Sequence, residues 1–126
     1  ATTSSTPTFS RASVALGTHI VGIGSFQPSM IEIEPSILTS ASVFIDQSDA
    51  CWSEAGEIIS ARAQGLLDVE QVIELGEVVL ELHPGRTNDE EVTVFKSVGI
   101  AAQDAVASSI ALDAAINRGI GTTVSI

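Results

Sequence analysis

Reactive side chains are sparse along this chain, and those that matter stand out by spacing. Lys96 is the single lysine, set in EVTVFKSVGIAAQD (91–104) beside Ser97 and Gly99. A serine at the head of a helix caps it, and the same position aims free N–H groups and a positive dipole end at a ligand oxygen. The lysine itself has two open readings: a surface cation, or a charge that neutralises a carboxylate or phosphate. Gly22 and Gly24 supply two glycines of a G-x-G-x-x-G dinucleotide loop, but Gln27 replaces the third and Pro28 follows. The better reading is a strand end that a ligand or another backbone approaches closely. Glu54 with Glu57, and Glu74 with Glu77, put carboxylates on one helical face; a solvated face is the preferred reading over acid–base work. His19, His83 and Cys51 lie far apart, so neither a metal set nor a Ser–His or Cys–His arrangement is expected.

The elements that must position these groups alternate. An apolar run with two glycines at 18–25 reads as a buried strand ending in a loop. Pro35 opens a short helix over 35–40, and SVFID at 42–46 is again strand-like. A helix is expected over 49–64, stopped by Gly65. Asp68 and Gln71 have capping-box spacing, which predicts a second helix from 68 to about 80. Pro84-Gly85 breaks the chain. A third strand spans 92–95, and Ser97 is expected to cap a long helix to residue 117, closed by Gly119 and Gly121. That last helix is Ala-rich and apolar over most of its circumference, so it is expected to be buried on several sides. The fold class is α/β: a parallel sheet flanked by helices, patterned as half of a doubly wound fold. Its open edges need cover.

Length and charge narrow the partners. One domain with a real core fits 126 residues. Hydrophobic residues make up 44% of them, with mean hydropathy +0.37. Only four Phe and one Trp are present, so Ile, Val, Leu and Ala must build the core, which suits covered parallel strands. Sixteen acids against five bases give a formal net charge of −11, which excludes a basic patch for nucleic acid or an anionic membrane surface. No apolar run is long enough to span a bilayer. The lone Cys51 fits a reducing compartment and a cytoplasmic location. The first residues lack both an initiator Met and a signal-peptide pattern, so either processing or a longer parent polypeptide is expected.

In order and spacing, GTHIVGIGSFQPSMIEI, SVFID, EAGE, ELGEV, PGR and EVTVFKSVGIAAQD resemble the ornithine cyclodeaminase/mu-crystallin family. The likeness runs through nearly the whole chain and covers about the carboxyl-terminal third of the family's length. It implies that residues 1–96 form the second half of a Rossmann-like NAD(P)-binding domain. Residues 97–126 would be a helix returning toward a dimerisation region. It also implies hydride transfer between a nicotinamide, from NAD or NADP, and the nitrogen-bearing carbon of a small amino or imino acid.

Position by position, the resemblance implies that Thr3, Ile23, Gly24, Ser25 and Ser97 contact cofactor and that Phe26 and Val98 face substrate. No catalytic residue or metal ligand is assigned. Cyclodeaminases carry an aspartate where this chain has Phe26, whereas phenylalanine there belongs to the imine-reducing branch. The basic residue often found near Met30 or Ile31 is missing. In the family the glycine-rich loop and the substrate-binding Lys and Arg lie upstream of the matched region, so residues 1–126 alone are expected to be inactive. The expected assembly is a homo-oligomer. The alternative is a non-catalytic, self-associating module.

Overall fold

Four short runs rich in β-branched and aromatic residues become strands: β1 (His19–Gly22), β2 (Ser42–Ile45), β3 (Val72–Glu74) and β4 (Thr93–Lys96). In the computed structural model, which describes residues 1–125, they pair entirely in parallel in the order β1–β4–β2–β3. The fold is therefore the expected α/β sheet flanked by helices, with one strand more than the sequence pattern predicted. Ile126, the last residue of the predicted carboxyl-terminal segment, lies outside the described residues.

Pleating sorts the side chains. Ile20, Val43, Ile45 and Val94 point to one face and join Ile33, Ile37, Leu38, Ile58, Ala61 and Leu67 in the core. That face is covered by α1 (Ser48–Glu54), α2 (Gly56–Ala63) and the turn at Pro35–Ile37. Burying each large aliphatic side chain there contributes about 1.5–3 kcal/mol. The opposite face is partly covered by the 75–92 connection, leaving a cavity of about 400 Å³ whose lining includes His19, Phe44, Leu75, Val78, Arg86 and Phe95. The arginine of the PGR motif ties this connection to the sheet: Arg86 donates to the Gly17 carbonyl at 3.0 Å and to Thr93 Oγ1 at 3.0 Å.

The structure corrects several predicted boundaries. The helix expected over 49–64 is broken at Ala55 (φ −79°, ψ 101°). Its next residue must be glycine, because a Cβ on Gly56 would sit 2.1 Å from the Met30 carbonyl oxygen. The capping box of Asp68 and Gln71 forms, with the Asp68 N–H donating to Gln71 Oε1 at 2.7 Å. It opens only the 3₁₀ turn Val69–Gln71, however. The chain then enters β3 along the edge of β2 and turns into the short α3 (Leu75–Val79). Sheet pairing overrides the helical pattern there.

The final helix, α4 (Ala101–Arg118), begins three residues later than predicted, after Ile100, and Ser97 does not cap it. Gly119, at φ +64°, closes it as expected. The prediction of burial on several sides fails. None of its residues is buried, and Ile110 and Ile116 are 64% and 67% exposed. No helix among the described residues is long and apolar enough to cross a membrane.

Candidate functional site

Strand register decides where the loops end up. Gly22 of β1, Lys96 of β4 and Ile45 of β2 lie side by side at the carboxyl edge of the sheet. The segments that follow them, from residues 23, 97 and 46, therefore leave at one rim although they are far apart in sequence. The Ser97 N–H donates to the Gly22 carbonyl at 3.0 Å, extending the pairing one step past the strands.

Of the two readings left open for Lys96, the surface cation is ruled out. The side chain is fully buried, on the core side of the sheet. Its Nζ donates to the carbonyls of Ser25 (2.7 Å), Ser97 (2.8 Å) and Gly22 (3.4 Å). The charge is balanced by Glu57 of α2, whose Oε1 lies 3.6 Å away and is also fully buried. The expected solvated face is thus divided: Glu54 is exposed, while Glu57 is a core carboxylate that accepts the Ser25 hydroxyl at 2.6 Å. Burial of both charges is tolerable because each is paired and bonded to polar groups.

A second carboxylate arranges the 97–99 segment. Asp46, just past β2, accepts from the Ser97 hydroxyl (2.6 Å) and from the N–H groups of Val98 (3.0 Å) and Gly99 (2.9 Å). Its other oxygen accepts from the Gln47 N–H (2.9 Å) and the Cys51 thiol (3.2 Å). The N–H groups that the sequence suggested for a ligand oxygen are therefore satisfied from within. Gly99 sits at φ +91°, which the turn requires and which side chains resist. Burial pushes the Asp46 carboxyl up, but the donors at Ser97, Cys51, Gly99 and Gln47 outweigh it and leave the group below its ordinary value. The Cys51 thiol, fully buried and donating to Asp46, is pushed up to about 12, so it is protonated and unreactive at neutral pH.

On the other side of the rim, Glu32 gathers the 22–25 loop and the 1–4 segment. It accepts from the N–H groups of Gly24 (2.6 Å), Ser25 (3.2 Å) and Thr2. Burial raises the Glu32 carboxyl, and the donors at Gly24, Thr2 and Ser25 bring it below its ordinary value. A Cβ on Gly24 would meet the Thr2 carbonyl oxygen at 2.2 Å. Of the two reasons left open for that glycine, close approach of another backbone is the one observed.

The residues singled out from the sequence thus stand on three segments at one rim. Gly24 packs against Thr2, the neighbour of Thr3, and Thr3 is exposed. Ile23 and Phe26 are 55% and 46% exposed, large apolar side chains turned outward at the strand tip. Val98 packs against the core edge. The Ser25 hydroxyl is buried on Glu57 and the Ser97 hydroxyl is held by Asp46, so at both positions the hydroxyl is already engaged within the protein. Asp46, Glu32 and Glu57 organise the rim; Glu57 was singled out from the sequence only as part of a solvated face, and Asp46 and Glu32 were given no role. Only the acid ending SVFID gave a hint, by its place just beyond a strand. No group of three or more His, Cys, Asp or Glu among the described residues could hold a metal ion.

A parallel sheet with loops converging beyond its carboxyl edge defines the class of open α/β nucleotide- and ligand-binding domains. The family model for the ornithine cyclodeaminase/mu-crystallin family matches residues 1–118, and the chain belongs to that family. It is 34% identical over 125 residues to a Delta(1)-pyrroline-2-carboxylate reductase of Bacillus cereus, covering 98% of this chain and 38% of that protein. The solved Thermococcus litoralis Delta(1)-pyrroline-2-carboxylate reductase, in complex with NADH and L-proline, superposes with a TM-score of 0.90 at 31% identity. It covers 97% of this chain, and the match spans 38% of that structure. An archaeal alanine dehydrogenase dimer with bound NAD gives a TM-score of 0.87 at 33% identity, over 99% of this chain and 39% of that one. The chain therefore spans under two fifths of the length of these relatives.

Proposed function

We propose that this chain supplies the carboxyl-terminal half of the dinucleotide site of an NAD(P)-dependent imine reductase or amino acid dehydrogenase. The observation that carries this reading is the convergence of residues 22–26 and 97–99 at the carboxyl rim of a parallel sheet, where open α/β sheets take their ligands. Two solved relatives of matching fold were determined with NADH or NAD bound. The exposed face of Ile23 suits an apolar ring, and its burial under one would add to affinity.

In this reading Thr3, Ile23, Gly24, Ser25 and Ser97 line the cofactor side, Ser25 and Ser97 through their main chain. Phe26 and Val98 face a small amino or imino acid, and the resemblance, in which cyclodeaminases carry aspartate where this chain has Phe26, points to reduction of a carbon–nitrogen double bond. The bound nicotinamide supplies the hydride chemistry. What these residues do is orient and exclude water. The upstream portion of the polypeptide must supply the remaining contacts, so the activity belongs to the full-length gene product, in the cytoplasm. Titration of that full-length protein with NADH and NADPH, followed by the coenzyme's own fluorescence, tests the reading. Saturable binding weakened about tenfold by Ile23→Ala, the worth of one buried apolar contact, is expected. Absence of binding to either dinucleotide overturns it.

A second reading has its own observation. The bare apolar surface of α4, with Val106, Ile110 and Ile116 exposed, favours a self-associating module that does no chemistry.

A further inference from the structure

We propose that Lys96 and Glu57 are positioning residues that lock the two rim loops together, and that dinucleotide affinity depends on this lock. One ammonium donates to Ser25 on one loop and to Ser97 on the other, with a longer bond to Gly22 at the root of the first. Its three hydrogens are thereby spent on carbonyls of both segments, and none is left for a ligand. Glu57 completes the lock from α2: Oε2 takes the Ser25 hydroxyl at 2.6 Å, and Oε1, without a hydrogen-bond partner of its own, faces Nζ at 3.6 Å. Ser25 is therefore held at both its carbonyl and its hydroxyl.

This arrangement is an expensive way to obtain stability alone. A buried ion pair replaced by apolar side chains of similar size leaves many proteins as stable or more so. What apolar side chains do not reproduce is the simultaneous capture of two main-chain carbonyls from segments more than seventy residues apart in sequence. The lock fixes the backbone of Gly24 and Ser25 relative to Ser97 and Val98, the same backbone that the proposed function aims at the coenzyme. The inference rests on that reading for its ligand but not for its geometry.

The test uses the full-length gene product with Lys96→Met, Glu57→Gln and the double substitution Lys96→Met with Glu57→Leu. The single variants strand a buried charge or its partner and are expected to fold poorly. The double variant removes both charges and keeps the volume. It is expected to fold while binding NADH about tenfold to a hundredfold more weakly, the scale of a small misplacement of positioned groups. Amide hydrogen exchange, read without any ligand, is expected to speed up at residues 22–26 and 97–99 and to stay unchanged in α1 and in β2. Ile58→Val, which loosens the core but leaves the lock intact, is expected to change neither loop exchange nor the dissociation constant. Unchanged loop exchange in the folded double variant overturns the lock outright. Loosened loops with unchanged NADH affinity overturn its link to binding. Loosened loops in a protein whose unsubstituted form binds no dinucleotide overturn the proposed function and leave the lock standing.

Discussion

At the residue scale the rim is organised by carboxylates turned inward. Asp46 is the clearest case, since Ser97, Val98, Gly99, Gln47 and Cys51 all donate to it. Asp46→Ala leaves those buried or half-buried donors unmatched and is expected to cost about 3 kcal/mol at neutral pH, read by urea unfolding. The pH dependence follows from the sign of the shift. The folded-state value lies below the ordinary one, so the stabilisation is complete above the unfolded value of about 4 and is lost as pH falls through the folded-state value. The stability gap between the two proteins is therefore expected to narrow below about pH 4. A gap that stays constant down to pH 2 would contradict the assignment. None of this was legible from the residues alone. The acid ending SVFID is visible, but its partners lie half the chain away. Lys96 was visible as a singular charge beside Ser97, yet whether it faced water or the core depends on strand register. Glu57 shared its spacing with Glu54, and helical periodicity does not say which of two acids three apart turns inward.

At the scale of elements, the strands with strong β-branched patterns and the break at Pro84-Gly85 were legible, as was the glycine stop of α4. The segment VIELGEVV was not. Its residues serve a helix or a strand equally, and the open edge of β2 decided in favour of β3. Nor did the sequence reveal the break at Ala55, which exists because the 28–30 loop passes over Gly56. The last helix teaches the converse. Its composition predicted burial, but the described residues provide no cover for it. Residues 1–126 alone are therefore expected to self-associate as concentration rises, measured by light scattering after size exclusion. Ile110→Glu with Ile116→Glu is expected to shift the population toward monomer. A clean monomer of the unsubstituted chain at high concentration would count against this role for α4.

For the whole molecule, the sheet, its order and its rim account for what residues 1–126 contribute, and their relation to longer relatives accounts for what they do not. A family resemblance carried on six ordered motifs named residues 23–26 and 97–98 together, and the strand register brings those segments to one edge of the sheet. It said nothing of the internal carboxylates that hold the rim in shape, because those are matters of burial. The central claim is that this rim is one half of a coenzyme site completed by upstream sequence. It is tested most directly by the oxidation of NADH and NADPH with Δ1-pyrroline-2-carboxylate, or with pyruvate and ammonia, followed at 340 nm for the full-length gene product and for residues 1–126 side by side. Turnover is expected from the full-length protein and none from residues 1–126. Turnover by residues 1–126 alone, or a folded full-length protein that oxidises neither coenzyme with any small imino acid, would contradict it.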